Sequence, residues 1–139
     1  MSMIKFLDVK TKGDDRGHLV ALEYKNDIPF DIKRVYYLTD TKEGVPRGFH
    51  AHRELVQVAV CVSGRCLMKL DNGSLKEEVW LDSPDKVIVI DKMIWHEMHE
   101  FSTDCVLLVL ASEVYDERDY IRDYTAFKEL LGASEIDVI

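Results

Sequence analysis

Apolar and polar positions alternate through most of this chain, and the period changes only near the C-terminus. In Lys33–Leu38, Arg34 and Tyr36 share one face, and Val35 and Tyr37 share the other. In Val56–Val62, Val56, Val58, Val60 and Val62 point one way, while Gln57, Ala59 and Cys61 point the other. A period of two marks a strand. The same reading predicts strands over Ile4–Val9, His18–Tyr24, Arg47–His52, Cys66–Leu70, Leu75–Leu81, Lys86–Ile90, Trp95–Phe101 and Cys105–Ala111. The last is apolar on both faces, as a covered central strand is. Ser63-Gly64, Asp71-Asn72-Gly73 and Asp15-Arg16-Gly17 supply the turn chemistry between strands. Pro46 suits a strand entry point. From Asp116 to Leu131 the apolar residues Tyr120, Ile121, Tyr124, Phe127, Leu130 and Leu131 follow a helical stripe. Acidic residues fill its first turn, and Gly132 follows its last apolar pair. The expected architecture is an all-β antiparallel barrel over roughly residues 1–113, a C-terminal helix over roughly 116–131, and one domain spanning 1–139.

Composition narrows the function classes. The 139 residues are 47% hydrophobic, ample for one core, and carry 18 basic against 26 acidic side chains, a net charge of −8. That balance argues against nucleic acid or an anionic membrane as partner. The N-terminus lacks the pattern of a secretory signal, and no apolar run is long enough to span a bilayer. Cys61, Cys66 and Cys105 form no Cys-x-x-Cys pair and sit in apolar runs, as reduced core thiols of a cytoplasmic protein do.

The densest chemistry lies between Gly44 and Gly64. His50 and His52 are two apart on a predicted strand, so both imidazoles face one side, with apolar Phe49 and Ala51 interleaved. Two such bases in a cavity suit proton transfer or metal ligation. The spacing resembles the cupin barrel motif: Gly44, five residues, His50-x-His52, four residues, Gln57 where the motif has glutamate, six residues, Gly64. His96 stands where the second cupin motif places its histidine, though the preceding Pro-x-Gly is absent. Glutamine is a poor substitute for an anionic metal ligand, so a metal-dependent cupin using His50, His52 and His96 is the alternative rather than the leading reading. Arg34 and Arg47 lie among apolar neighbours and need an anionic partner, either an internal carboxylate or a diphosphate. Tyr36 and Trp95 are candidates to stack on a base or sugar. His18 reads as surface and His99 as mouth-lining or exposed.

Longer strings resemble one enzyme family. DIPFDIKRVYYL at Asp27–Leu38, PRGFHAH at Pro46–His52, QVAVCVSG at Gln57–Gly64, WHEMHEF at Trp95–Phe101 and VLLVLASEVYDERDYIRDY at Val106–Tyr124 are similar to the sugar-nucleotide 3,4-ketoisomerases of the cupin superfamily. The resemblance implies conversion of dTDP-4-keto-6-deoxy-D-glucose through an enediol, without metal or other cofactor. His50 and His52 would be the catalytic pair, and Arg16, Arg34, Tyr36, Arg47, Gln57, Trp95 and His96 would hold substrate. On chemical grounds the proton shuttle is assigned to His52 and a supporting hydrogen bond to His50. Arg16 and His96 resemble the members that give the galacto product, dTDP-3-keto-6-deoxy-D-galactose. That product would be aminated at C3 toward a bacterial surface glycan. A homodimer with exchanged N-terminal strands is implied as well. A non-catalytic sugar-nucleotide-binding barrel is the reading from a different class.

Overall fold

A computed structural model describes residues 2–138. Among them, strands β1 (Lys5–Phe6), β2 (Thr11–Asp14), β3 (Gly17–Val20), β4 (Arg34–Leu38), β5 (Arg47–His52) and β6 (Gln57–Ser63) form the first half. Strands β7 (Cys66–Asp71), β8 (Lys76–Leu81), β9 (Ile88–Ile90), β10 (Trp95–His99), β11 (Val106–Ala111) and β12 (Tyr120–Ile121) follow, then helix α1 (Tyr124–Val138). One sheet has the order β1-β9-β6-β11-β4, the other β12-β5-β10-β7-β8, and every pairing in them is antiparallel. β2 and β3 form a separate hairpin.

Alternation sets what each sheet covers. Ala59 and Cys61 of β6, Leu107 and Val109 of β11, Cys66, Met68 and Leu70 of β7 and Met98 of β10 fill the space between the sheets. The opposite face of the first sheet carries Val58, Val60 and Leu110, and the segment after β1 folds over it, bringing Leu7, Leu22, Ile28, Phe30 and Ile32 into contact. β11 is therefore covered on both faces, which accounts for its unbroken apolar run. The outer face of the second sheet is sealed by α1, whose Phe127 is fully buried against Ala51, Trp95 and Ile121. Truncating Phe127 to alanine is expected to cost about 3–5 kcal/mol.

The C-terminal boundary differs from the sequence expectation. Asp116 caps only a three-residue 3-10 turn at Glu117–Asp119, with its carboxylate accepting from Arg118 N at 3.0 Å. Tyr120 and Ile121 then pair with His52 and Ala51 as β12. The helix proper starts after Asp123, whose carboxylate accepts from Ala126 N at 3.2 Å, and it continues through Gly132. Tyr120 and Ile121 match helical spacing by coincidence: on the strand they face opposite ways, Tyr120 toward the histidines and Ile121 toward α1, and a two-residue apolar pair is too short to tell the two periods apart.

The two seams between the sheets are unlike. Where β1 and β8 are the outermost strands, Ser2 Oγ donates to Glu77 at 2.8 Å and Met3 N donates to the same carboxylate. Where β4 and β12 are outermost, the histidine face of β5 opens between the sheets.

Candidate active site

Three histidines converge inside the barrel beside the β4 seam. His50 and His52 come from β5, and His96 of β10 pairs directly with His50. Ring centroids are 4.5 Å apart for His50 and His96, 5.0 Å for His50 and His52, and 5.8 Å for His52 and His96. His52 and His96 are buried, while His50 keeps partial access to solvent. Burial lowers the pKa of all three. His52 falls to about 3, helped by His50, Arg34 and Arg122, and His96 falls to about 3, helped by His50 and His52. All are neutral bases at working pH. His96 Nδ1 lies 3.1 Å from Ile94 O. A carbonyl only accepts, so Nδ1 holds the proton and Nε2 keeps a lone pair. The three rings each offer a nitrogen within 4.8 Å of the others, a set able to hold a divalent ion.

A backbone irregularity makes this convergence possible. Gly48 and Phe49 both have positive φ, +93° and +62°, and the β5–β10 register slips between His96 and Glu97. Phe49 is the extra residue of a bulge, opposite no partner. A Cβ on Gly48 would lie 3.0 Å from His96 O, so glycine is needed for the strands to approach. The bulge also inverts alternation. Arg47 pairs with Met98, an inward residue, and so lies on the histidine face of the sheet.

β4 supplies the facing wall. Gln57 Nε2 donates to Tyr36 Oη at 2.6 Å. Because the Tyr36 oxygen accepts that bond, its own hydrogen is left to donate elsewhere. Burial, with Tyr120 nearby, pushes the Tyr36 phenol up to about 12, keeping it a neutral donor. Arg34 lies 5.1 Å from the Tyr36 ring and 5.6 Å from the Tyr115 ring. Its Nε and Nη2 are buried without a hydrogen-bond partner. A buried, unsatisfied guanidinium is expensive and fits an anionic ligand.

Several contributors come from a segment read as helix. The Tyr120 ring packs edge-to-face on His52 at 4.3 Å and at a tilt against His50 at 5.0 Å. Asp119 Oδ2 stands 3.4 Å from His52 Nδ1 while its carboxylate accepts from Glu54 N and Leu55 N at 2.8 and 3.2 Å. Arg122 lies 4.2 Å over the Tyr120 ring and forks onto Glu117 at 2.7 and 2.9 Å, holding that carboxyl down to about 2. The signal available in sequence was the density of charge and tyrosine in YDERDYIRDY, which exceeds what a helix N-terminus needs.

Two expected site residues lie elsewhere. Trp95 adjoins His96 on β10 and must face outward; it packs under α1 and donates Nε1–H to Glu97 at 2.9 Å. Arg16 sits at the β2–β3 hairpin tip, 86% exposed and paired with Asp14 at 2.7 Å, because among the described residues the strands of that hairpin pair only with each other and not with either sheet. His99, on the outer face of β10, bonds Glu97 at 2.8 Å, and His18 is exposed.

Known proteins share this architecture. The family model described as "FdtA: WxcM-like, C-terminal" matches residues 2–132. TDP-4-oxo-6-deoxy-alpha-D-glucose-3,4-oxoisomerase of Aneurinibacillus thermoaerophilus is 50% identical over 133 residues, 96% of each chain. A crystal structure of a 3,4-ketoisomerase from Helicobacter canadensis superposes with a TM-score of 0.90 at 45% identity, covering 93% of this chain and 97% of that one. A histidine-to-asparagine mutant of the 3,4-ketoisomerase QdtA from Thermoanaerobacterium thermosaccharolyticum, in complex with TDP-4-keto-6-deoxyglucose, gives 0.89 at 40% identity, covering 93% and 94%. On the family match, the long identities and the shared fold together, this chain belongs to the WxcM-like FdtA family.

Proposed function

We propose that this chain is a sugar-nucleotide 3,4-ketoisomerase that converts dTDP-4-keto-6-deoxy-D-glucose to dTDP-3-keto-6-deoxy-D-galactose. The observation that carries the reading is the set of neutral histidines facing a proton-bearing Tyr36 and an unsatisfied Arg34. The 4-keto group acidifies the C3 hydrogen. A histidine removes that proton, and negative charge collects on O4, where the Tyr36 hydroxyl can donate to it. The O3 hydrogen passes to O4, the histidine returns its proton to C4, and the ketone is left at C3. Atoms balance with no redox partner. A neutral base and a neutral donor suit both halves of the exchange.

Burial favours His50 as the shuttle. It is the histidine with solvent access, whereas His52 is nearly sealed and stands beside Asp119. This reverses the roles assigned on chemical grounds alone. His52 then supports the exchanging oxygens. Arg34 and Arg47 take the diphosphate or sugar oxygens, Gln57 holds Tyr36, and His96 backs His50.

The galacto configuration and the role of Arg16 belong to an assembled form. Val35 and Tyr37 of edge strand β4 are 55% and 66% exposed, and Leu19 of the β2–β3 hairpin is 59% exposed. These apolar edges support a homodimer whose exchanged N-terminal hairpins bring Arg16 to the partner's cavity. Among the described residues no helix is long and apolar enough to cross a membrane, in keeping with a cytoplasmic enzyme.

Proton NMR of dTDP-4-keto-6-deoxy-D-glucose in deuterated buffer, with chelator-treated protein, tests the reading. A 3-keto sugar with an axial C4 hydroxyl is expected. An unchanged spectrum that becomes active only on adding one equivalent of a divalent ion would favour the three-histidine metal site instead.

A further inference from the structure

The barrel holds a second cluster of reactive side chains, away from the histidines. Cys61 lies on β6, Cys66 opens β7 and Cys105 immediately precedes β11. Relative exposures are 0, 0 and 1%. Cys61 Sγ is 3.7 Å from Cys66 Sγ and 3.7 Å from Cys105 Sγ, and all three sulfurs lie within 4.8 Å of one another. On β7, Cys66 is four residues from Leu70, the residue opposite His96. At about 3.3 Å per residue the thiols are roughly 13 Å from the histidine layer. Met68 lies between them in the apolar core.

We propose that Cys61, Cys66 and Cys105 form a binding site for a trivalent thiophilic metalloid, taken up as its neutral hydroxide, of which arsenous acid is the type.

Geometry supports this first. The circumradius of such a sulfur triangle falls near a metal–thiolate bond length, about 2.3 Å for zinc, so one central atom reaches all three. Charge selects the valence. Three thiolates around a monovalent or divalent ion would leave net negative charge in a dry, apolar core, which is costly. Around a trivalent centre the charge is zero. The chemistry needs no prior ionisation. Each of three As–OH bonds breaks, each of three As–S bonds forms, and every thiol proton leaves with a hydroxide as water: As(OH)3 + 3 RSH → As(SR)3 + 3 H2O. The oxidation state does not change and no other reactant is needed. Thiols held protonated by their surroundings are therefore competent. The bond to Cys66 and burial push Cys61 up, and burial raises Cys105 to about 12.

Access runs through two surface turns. Cys66 directly follows the Gly64–Arg65 turn, and Cys105 directly follows the turn at 103–104. Ser102 clips the two: Arg65 N donates to Ser102 Oγ at 2.9 Å and Ser102 N donates to Arg65 O at 3.0 Å. Local opening of these two turns, which also loosens the Thr41 Oγ1 and Cys105 N bonds to Ser102 O, is the route by which a small neutral molecule would reach Cys66 and Cys105 first and Cys61 behind them. A bound centre would tie β6 and β11 of one sheet to β7 of the other.

The test is intact-mass spectrometry of the native, reduced protein incubated with arsenite, with arsenic X-ray absorption on the same sample. The expected result is a 1:1 adduct heavier by one arsenic less three hydrogens, three sulfur neighbours and no oxygen, and a raised Tm. Cys61→Ala, Cys66→Ala and Cys105→Ala should each lose that adduct, and His50→Asn should keep it. The proposal is overturned if the native protein stays unmodified while the denatured chain takes up arsenic. It is equally overturned if the adduct keeps an oxygen ligand, survives in a single cysteine variant, or disappears in His50→Asn. Should a cysteine variant fail to fold, the mass and coordination of the wild-type adduct decide alone.

Discussion

Asp119 Oδ2 stands 3.4 Å from His52 Nδ1, and the same carboxylate accepts two backbone N–H groups from the strand end that carries His52. The carboxylate is thus held in place by Glu54 and Leu55 and aimed at the imidazole. The distance is longer than a formed hydrogen bond. It is expected to shorten when substrate fills the cavity, as catalytic contacts in empty sites commonly do. Asp119→Asn removes the charge and keeps one acceptor oxygen, enough for Glu54 N or Leu55 N but not both. We expect kcat to fall on the order of tenfold or more, with Tm lowered by the loss of about one backbone hydrogen bond. Steady-state kinetics and a thermal melt check both halves; a kcat equal to wild type would remove Asp119 from the chemistry.

Tyr36→Phe removes the donor facing the exchanging oxygens and leaves Gln57 Nε2 without its acceptor. Loss of one donor to a developing oxyanion costs roughly 10²–10³ in kcat. Little change is expected in TDP binding, because the ring still lies against Arg34. Parallel losses in kcat and TDP affinity would instead make Tyr36 a binding residue.

The depressed histidines set a pH dependence for stability. His52 and His96 have folded pKa values near 3 against an ordinary 6.5. Between those values the unfolded chain binds protons that the folded chain does not, so stability falls as pH drops below 6.5. Each histidine withdraws up to about 1.4 kcal/mol per pH unit across that window. Melting curves from pH 7.5 to 4.5 should show Tm declining steadily, and His96→Gln should flatten the slope. A flat wild-type profile would mean that these rings are solvated and readily protonated in the native barrel.

Gly48→Ala probes the bulge. Alanine at φ +93° with a carbonyl oxygen 3.0 Å from its Cβ is strained. The expected cost is about 1–3 kcal/mol. The His50–His96 contact should widen, and activity should drop more than stability alone explains. Urea unfolding and kcat/KM on the same preparation separate the two.

Most of the barrel was legible because period-two alternation survives wherever one face is buried. Arg34 with Tyr36, and Gln57 with Cys61, share a face as the pattern paired them, and the structure makes that face the interior one. Arg47 shows where alternation stops being a guide. It is an odd number of residues from His50, so strict alternation puts it outside, and only the extra residue at Phe49 returns it to the histidine face. Trp95 is the opposite case. Adjacent to His96 on one strand, it faces away from the histidines, and parity rather than aromatic character decides its place. Asp119 and Tyr120 were hidden because a 3-10 turn followed by two paired residues imitates the first turns of a helix.

The unequal seams of the barrel bear on how a bulky nucleotide sugar gets in. On the β1–β8 side the N-terminal residues lace the sheets together through Glu77. On the other side β4 and β12 are each a last strand, so no ladder bonds join the sheets there. The chain nevertheless crosses between the sheets at β4–β5, β5–β6, β10–β11 and β11–β12, so covalent connections hold their spacing. A nucleotide sugar can therefore reach the partly exposed His50 from that margin with every strand pairing left intact.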